Sequence, residues 1–595
     1  MDLSHQNVGS HTFMQTLNWS REYGLHHIDV MLDHENYQYG YNSYFLRKSG
    51  QLIDGNYSMN NFQNLDADSE AQAEIRTESY LGRARYNYDQ KYFAEFSLRR
   101  DGTSRFAKNN RWGTFWSVGA SWILTKEKFL HNVDWLNYLK LRLAYGSVGN
   151  DAAASAYSYL TLYSPWFTYE GIGTMYPGSI GTSDLKWEST KTLDIALEGS
   201  LFNDRFNFTI GYFDKRNADL LYSRTLPFSQ GTVGNSGLLP SVMQNIGTMS
   251  NRGWELQFGV DIIRNADFRW NFNIDASFIK NKIIKLPDNQ DIVGQALFQG
   301  KSLYEKFTYD WAGVDQRTGN SLYYMHPDSP EYYKYDENGN QYYDEQLWMN
   351  NLAAASKSGN LFVDENGNYL TDRATTYAKR VIKGSALPTV FGSFSTNFSW
   401  KGINLGLLFT YSLGGKTYNG NYASLMGISA QSPGALHKDI LNSWTKDPVT
   451  GNTNPVANAD LGTVGCAYNY GDGQSLGVNA IPTYRQDADG NPAGSAIDPN
   501  GVPVLNTQLD QYNNASSSRF LVSSSYLCMK NINISYDFPK KWVNAMKMQN
   551  LNLGFSVDNL FLITKQKGLN PQYSFSGGQG AYYVPSRVFS FQLTV

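Results

Sequence analysis

The sequence predicts an all-β protein, a transmembrane antiparallel β-barrel. Three observations carry that expectation. Apolar and polar residues alternate with period two over many segments, which puts successive side chains on opposite faces of a sheet. The segments run about 9 to 13 residues, the length a tilted membrane strand needs, where soluble strands are nearer 5 or 6. Short turns then alternate with long loops, as outer-membrane barrels do with a turn side and a loop side.

The elements follow in chain order. Leu193-Asp194-Ile195-Ala196-Leu197-Glu198 alternates, and Asn203-Asp204 turns the chain after it. In Trp254-Glu255-Leu256-Gln257-Phe258-Gly259-Val260-Asp261-Ile262 every even residue is apolar. The turn Arg264-Asn265-Ala266-Asp267 leads into Phe268-Arg269-Trp270-Asn271-Phe272-Asn273-Ile274-Asp275. Leu551-Asn552-Leu553-Gly554-Phe555-Ser556-Val557-Asp558 and Phe589-Ser590-Phe591-Gln592-Leu593-Thr594-Val595 repeat the pattern. Asp89-Gln90 and Lys401-Gly402 are further short turns, and 37–76, 147–188, 223–245 and 414–524 read as long loops. A soluble sandwich or a propeller also alternates, with its apolar face inward. Segment length, loop alternation and the aromatics Tyr88, Trp254, Trp270 and Trp400 near segment ends favour the membrane barrel, whose girdles are aromatic. The faces are then inverted, so that Glu198, Glu255, Asp261 and Asp275 look into a wet lumen. About seventeen strands are expected, including a hairpin of Tyr304–Val314 with Ser321–Met325.

Composition excludes other classes. Lys and Arg number 50 against 53 Asp and Glu, with no basic block, so the footprint of a nucleic-acid binder is missing. Two cysteines in 595 residues exclude a disulfide scaffold and a structural zinc module. An aromatic content of 15% excludes a disordered chain. The polar start Met1-Asp2-Leu3-Ser4-His5 does not read as a secretory signal. No Gly-x-Ser-x-Gly elbow and no P-loop occurs, and no catalytic constellation or cofactor is expected.

Several motifs, in order from about residue 77 to 595, carry a family resemblance. They include Arg83-Ala84-Arg85-Tyr86-Asn87-Tyr88, Arg99-Arg100-Asp101-Gly102-Thr103-Ser104-Arg105-Phe106 and Asn110-Arg111-Trp112-Gly113. Leu139-Lys140-Leu141-Arg142, Asn251-Arg252-Gly253-Trp254-Glu255 and Trp311-Ala312-Gly313-Val314-Asp315 continue the series. Ser525-Tyr526-Leu527, Asp558-Asn559-Leu560-Phe561 and Pro585-Ser586-Arg587-Val588-Phe589 close it. Together they resemble the SusC/RagA-type TonB-dependent outer-membrane transporters of Bacteroidetes. The resemblance implies a barrel of about 22 strands, of which residues 1–595 would be a part lacking signal peptide, plug domain and the first strands. It implies active import of oligosaccharides or peptides across the outer membrane. The expected partners are a SusD-like lipoprotein lid, the TonB-ExbB-ExbD complex reached through an N-terminal region, and outer-membrane lipid and lipopolysaccharide. A passive porin-like barrel or an adhesin is the alternative.

Two sets of site residues are expected. In loop 147–188, Tyr163, Trp166, Phe167 and Tyr169 offer rings that stack on the apolar C–H faces of a sugar, or that pack the loop against the barrel mouth or a lid. On the lumen face, Arg83, Arg85, Lys140 and Arg142 would meet carboxylates of a plug, or pair with Glu95 and Glu198 along the wall. Three Asp-rich stretches, 336–340, 364–368 and 487–491, have Gly at their fourth position rather than the sixth of a calcium loop. They read as turns. The eight His show no ligand spacing, so no metal is expected. Cys466 reads as a loop residue and Cys528 as a strand residue.

Overall fold

Alternation over long segments becomes strands as long as the pattern or longer. The computed structural model describes the chain except residues 171, 227–240, 429–434, 445–462, 467–475, 481–482, 487–491, 496, 567–569 and 573–584. It divides into two compact units, Met1–Val260 with Asn281–Pro287, and Asp261–Lys280 with Asp288–Val595.

The first unit holds β1 (Asp2–Tyr23), β2 (His26–Gln51), β3 (Phe62–Tyr88), β4 (Tyr92–Thr103), β5 (Trp112–Ile123), β6 (Leu136–Asn150), β7 (Glu188–Leu201), β8 (Phe206–Ala218) and most of β9 (Thr248–Arg264). Each pairs antiparallel with the next in sequence. The connections explain themselves chemically. Asp89 and Gln90 both take positive φ, 52° and 49°, and Lys91 N donates to Tyr88 O at 2.9 Å. That is a type I′ turn, whose twist matches the flanking strands. Behind the longer connections sits a small core of Phe106, Ala154 and Leu185, with Trp187 packed on it. The Trp187 ring meets Phe106 edge-on at 5.7 Å, and its Nε1 donates to Arg111 O at 2.9 Å.

The second unit holds most of β10 (Phe268–Lys285), then β11 (Val390–Trp400), β12 (Ile403–Leu413), β13 (Tyr526–Asp537), β14 (Asn552–Thr564) and β15 (Val588–Thr594). These too pair antiparallel in sequence order. Lys401 and Gly402, at φ 47° and 90°, make the two-residue turn between β11 and β12. Gly392 pairs with Ala276 across β10 and β11, and a Cβ there would run into the Asp275 carbonyl.

Three expectations are corrected. Residues 37–76 are not a loop: β2 and β3 continue through them, paired from His26↔Tyr88 to Gln51↔Phe62, and only 52–61 connect the strands. The hairpin at 304–325 does not join the long strands. Trp311–Asp315 and Ser321–Tyr324 pair with each other inside a separate seven-stranded sheet, and Glu305–Thr308 pairs with Val381–Ser385. The long strands among the described residues therefore number fifteen rather than seventeen. Cys466 ends a short strand, Thr463–Cys466, rather than lying in a loop. Cys528 lies on β13, buried and free.

The small sheet is the core of a loop domain inside the second unit. Its strands come from 311–324, 361–371, 463–480 and 497–498. Helix α1 (Glu345–Lys357) packs against them through Trp348, Leu352 and Ala355, which cluster with Met325, Tyr332 and Leu361. Asp344 caps α1 by accepting from Leu347 N at 2.9 Å. Lys334 Nζ, 2.6 Å from Asp344 Oδ2, and the helix amide together hold that carboxyl below its ordinary range.

Candidate functional site

The wall of the first unit has two chemically opposite faces. Arg83 and Arg85 alternate along β3 with Ala84 and Tyr86, so the cations share one face. Register then sets Asp29, Arg85 and Glu95 in one cross-strand row. Arg85 Nε donates to Glu95 Oε2 at 2.7 Å. Arg142 lies 3.5 Å from Asp194 and 3.6 Å from Glu198, and Lys140 is 3.8 Å from Glu198. Arg83 points instead toward Met31, Nη2 to Sδ at 3.7 Å. Three of the four expected cations thus reach carboxylates of the wall itself. Lys140 and Arg142 meet through Glu198. Over this row lies a groove of about 660 Å³, lined by Asp29, Arg85, Glu95, Arg142, Thr192 and Asp194 among others.

The other face is apolar and uncovered. Tyr86, Phe96, Val118, Leu141, Tyr145 and Trp254 are all exposed. Phe96 opposes Val118, and Val118 opposes Tyr145, so the rings and aliphatic groups form continuous cross-strand rows. Rows of large exposed apolar groups are rare on a protein in water and are what a barrel turns toward lipid. The second unit shows the same division with different polar chemistry. Trp270, Phe394, Phe398 and Phe409 occupy one face, with the Phe394 and Phe409 rings stacked at 4.7 Å. The opposite face is mostly amides and hydroxyls. Asn271 donates to Asp261 at 3.0 Å, Asn404 to Asp537 at 2.8 Å, and Asn531 to Asp558 at 2.8 Å.

Solvated ion pairs of this kind contribute about 0–1 kcal/mol each. Replacing Arg85 or Arg142 singly should therefore leave assembly intact, which makes the faces testable by cysteine labelling. With the two native cysteines replaced, Arg85→Cys and Arg142→Cys in bilayers should react with a membrane-impermeant maleimide, and Tyr86→Cys and Leu141→Cys should not. The reverse pattern would show the face assignment to be inverted.

Of the aromatic set, Tyr163 is exposed, at 63%. It lies on a strand, Leu162–Tyr169, paired with Ile172–Ser179. The side chains of Trp166, Phe167 and Tyr169 lie outside the described residues. Two of the Asp-rich stretches form identical turns: Asp336 Oδ1 accepts from the amides of Asn338 and Asn340, and Asp364 Oδ1 from those of Asn366 and Asn368. The third, 487–491, lies outside the described residues.

Sequence reasoning missed a polar cluster in the loop domain. Asp310, nearly buried, accepts from His326 Nε2 at 2.8 Å, Lys383 Nζ at 2.7 Å and Ser518 Oγ at 3.1 Å. Burial pushes the Asp310 carboxyl up, and the hydrogen bonds from His326 and Lys383 outweigh it, so the group sits below the ordinary carboxylate range. Asp372 goes the other way: burial raises it, against Arg373 and Asn320. The three groups around Asp310 come from segments up to 208 residues away, and no local spacing announces them.

A sheet of long next-neighbour antiparallel strands, apolar and exposed on one face and polar on the other, defines a β-barrel of the outer-membrane type. The sequence model described as TonB dependent receptor-like, beta-barrel, matches residues 3–303, about half of the chain, and the chain belongs to that family. It is similar to TonB-dependent receptor P39 of Formosa agariphila, 26% identical over 513 residues, which are 84% of this chain and 43% of the relative. It is also similar to TonB-dependent receptor SusC of Bacteroides thetaiotaomicron, 27% identical over 509 residues, 83% of this chain and 41% of the relative. The chain thus spans less than half the length of the curated relatives it matches. Among solved structures, the RagAB peptide transporter superposes with a TM-score of 0.69 at 21% identity, over 97% of this chain and 54% of that one. At that identity the likeness concerns the fold.

Proposed function

We propose that this chain is the barrel portion of an outer-membrane importer that takes up oligosaccharides or peptides with energy from a TonB complex, TonB-ExbB-ExbD. A SusD-like surface lipoprotein works with it as a lid. The carrying observation is the two-faced wall in a chain of this family, apolar toward lipid and charged toward the interior. The RagAB peptide transporter, whose fold this chain resembles, carries peptides by its name, which suits a peptide cargo and leaves an oligosaccharide equally open. No group-transfer chemistry enters this reading, since import breaks no bond of the cargo. In it, the hairpin 162–179 presents Tyr163, with Trp166, Phe167 and Tyr169, to cargo. The ion-paired row of Arg85, Lys140 and Arg142, with Arg83 beside it, faces the plug.

The test is a deletion of the gene in its host, with uptake of fluorescent oligosaccharides and oligopeptides followed in intact cells. Uptake should fall in the deletion strain and in a strain lacking TonB, and a surface lipoprotein should copurify with the barrel. Uptake that persists without TonB and without a proton gradient would instead identify a passive pore.

A further inference from the structure

Three arginines of the loop domain, Arg317, Arg373 and Arg380, follow one design, and Arg519 departs from it. Arg317 donates to Asp315 at 2.8 and 2.9 Å. Arg373 donates to Asp372 at 2.7 Å while its guanidinium lies over the Tyr512 ring at 5.0 Å. Arg380 donates to Glu331 at 2.9 Å while lying over the Phe307 ring at 4.6 Å. Each spends its planar N–H edge on a carboxylate, and two add a ring against the flat face.

Arg519 has the rings without the acid. Its guanidinium lies 4.8 Å from the Trp311 ring centre and 5.1 Å from that of Phe520. Among the described residues no carboxylate pairs with it and no acceptor takes a hydrogen bond from it. The ionisable groups acting on it are the phenols of Tyr323 and Tyr422, and burial depresses its basicity. Stacking uses the faces of a guanidinium and leaves its five edge donors unspent. Burying such a fork without an anion is unfavourable, and the same domain supplies an anion to Arg317, Arg373 and Arg380. The residue is intermediate in exposure rather than fully buried.

We propose that Arg519 is a carboxylate-binding subsite of the loop domain. The two oxygens of an incoming carboxylate accept from the guanidinium fork, with Trp311 and Phe520 fixing its plane. The carboxylate belongs either to a uronic acid residue of a glycan or to a peptide terminus. The site stands whether its ligand is then imported or only held.

The experiment is calorimetric titration of the whole chain in detergent with two probes, digalacturonate and the dipeptide Ala-Ala. The methyl ester of the first and the amide of the second serve as uncharged controls. At least one acid should bind, with its neutral counterpart more than tenfold weaker, and the one that binds identifies the source. Arg519→Met should abolish the acid's advantage. Arg519→Lys keeps the charge without the planar fork, is expected to fold, and should weaken binding at least fivefold. Thermal melting of both variants separates a lost ligand from a lost fold. Binding of neither acid to the wild-type chain, or equal binding to wild-type and a folded Arg519→Lys or Arg519→Met chain, would overturn the proposal.

Discussion

Trp348→Ala is expected to unfold the loop domain while leaving the long strands assembled. Trp348 is 5% exposed at the centre of the cluster under α1. Its ring meets Tyr332 edge-on at 5.2 Å and Tyr369 at 6.1 Å. Truncating a buried tryptophan removes its transfer free energy and leaves a cavity, together about 3–5 kcal/mol. A domain of short strands and short helices has little margin against such a loss. Limited proteolysis in detergent should cut between residues 326 and 380 in the variant and not in the wild type. The heat-modifiable gel mobility of the barrel should be unchanged. Equal protease resistance of the two chains would mean that the domain is held by something other than this cluster.

Asp310→Ala should be nearly as damaging, by about 3 kcal/mol, because it removes the carboxylate that both Lys383 Nζ and His326 Nε2 reach, each side chain largely covered. The wild-type protein should show the corresponding pH dependence. Asp310's carboxyl is held below its ordinary value of about 3.9. Its contribution is complete above the unfolded value and disappears as pH falls through the folded one. Denaturant midpoints of the loop domain should therefore fall as pH drops below about 4, and Asp310→Asn should flatten that fall. Asp372 contributes with the opposite sign, because a carboxyl raised by burial is relieved when protonated. A wild-type midpoint that stays level through this range would remove Asp310 from the account.

The faces of the wall were legible in the sequence for one reason: a strand between lipid and water has to alternate. Leu141 and Arg142, or Trp254 and Glu255, could not exchange places without putting a charge into lipid. The partners on the polar face were harder. That Arg85 reaches Glu95 depends on a register fixed by the turn at Asp89-Gln90, and that Arg142 reaches Glu198 depends on the pairing of β6 with β7. The stretch 37–76 misled because its strands leave the region where one face has to be apolar. Tyr37, Tyr39 and Tyr41 alternate with Gln38 and Gly40, yet polar side chains stand on both sides. The loop domain was illegible for a different reason. Its strands are two to five residues long, too short for a periodicity, and its core unites Leu322, Leu370 and Ile497 from three distant segments.

The length of β2 and β3 has a further consequence. Only Thr77–Tyr88 of β3 lies beside β4, whose 12 residues suffice to cross a membrane. Residues 62–76, with their partners on β2 and β1, stand clear of β4. At about 3.3 Å per residue that is an extension of roughly 45 Å. With the loop side outermost, as in outer-membrane barrels, the turn around Asp54 and Gly55 is held away from the groove beside Arg85, so that a change at one leaves the other untouched.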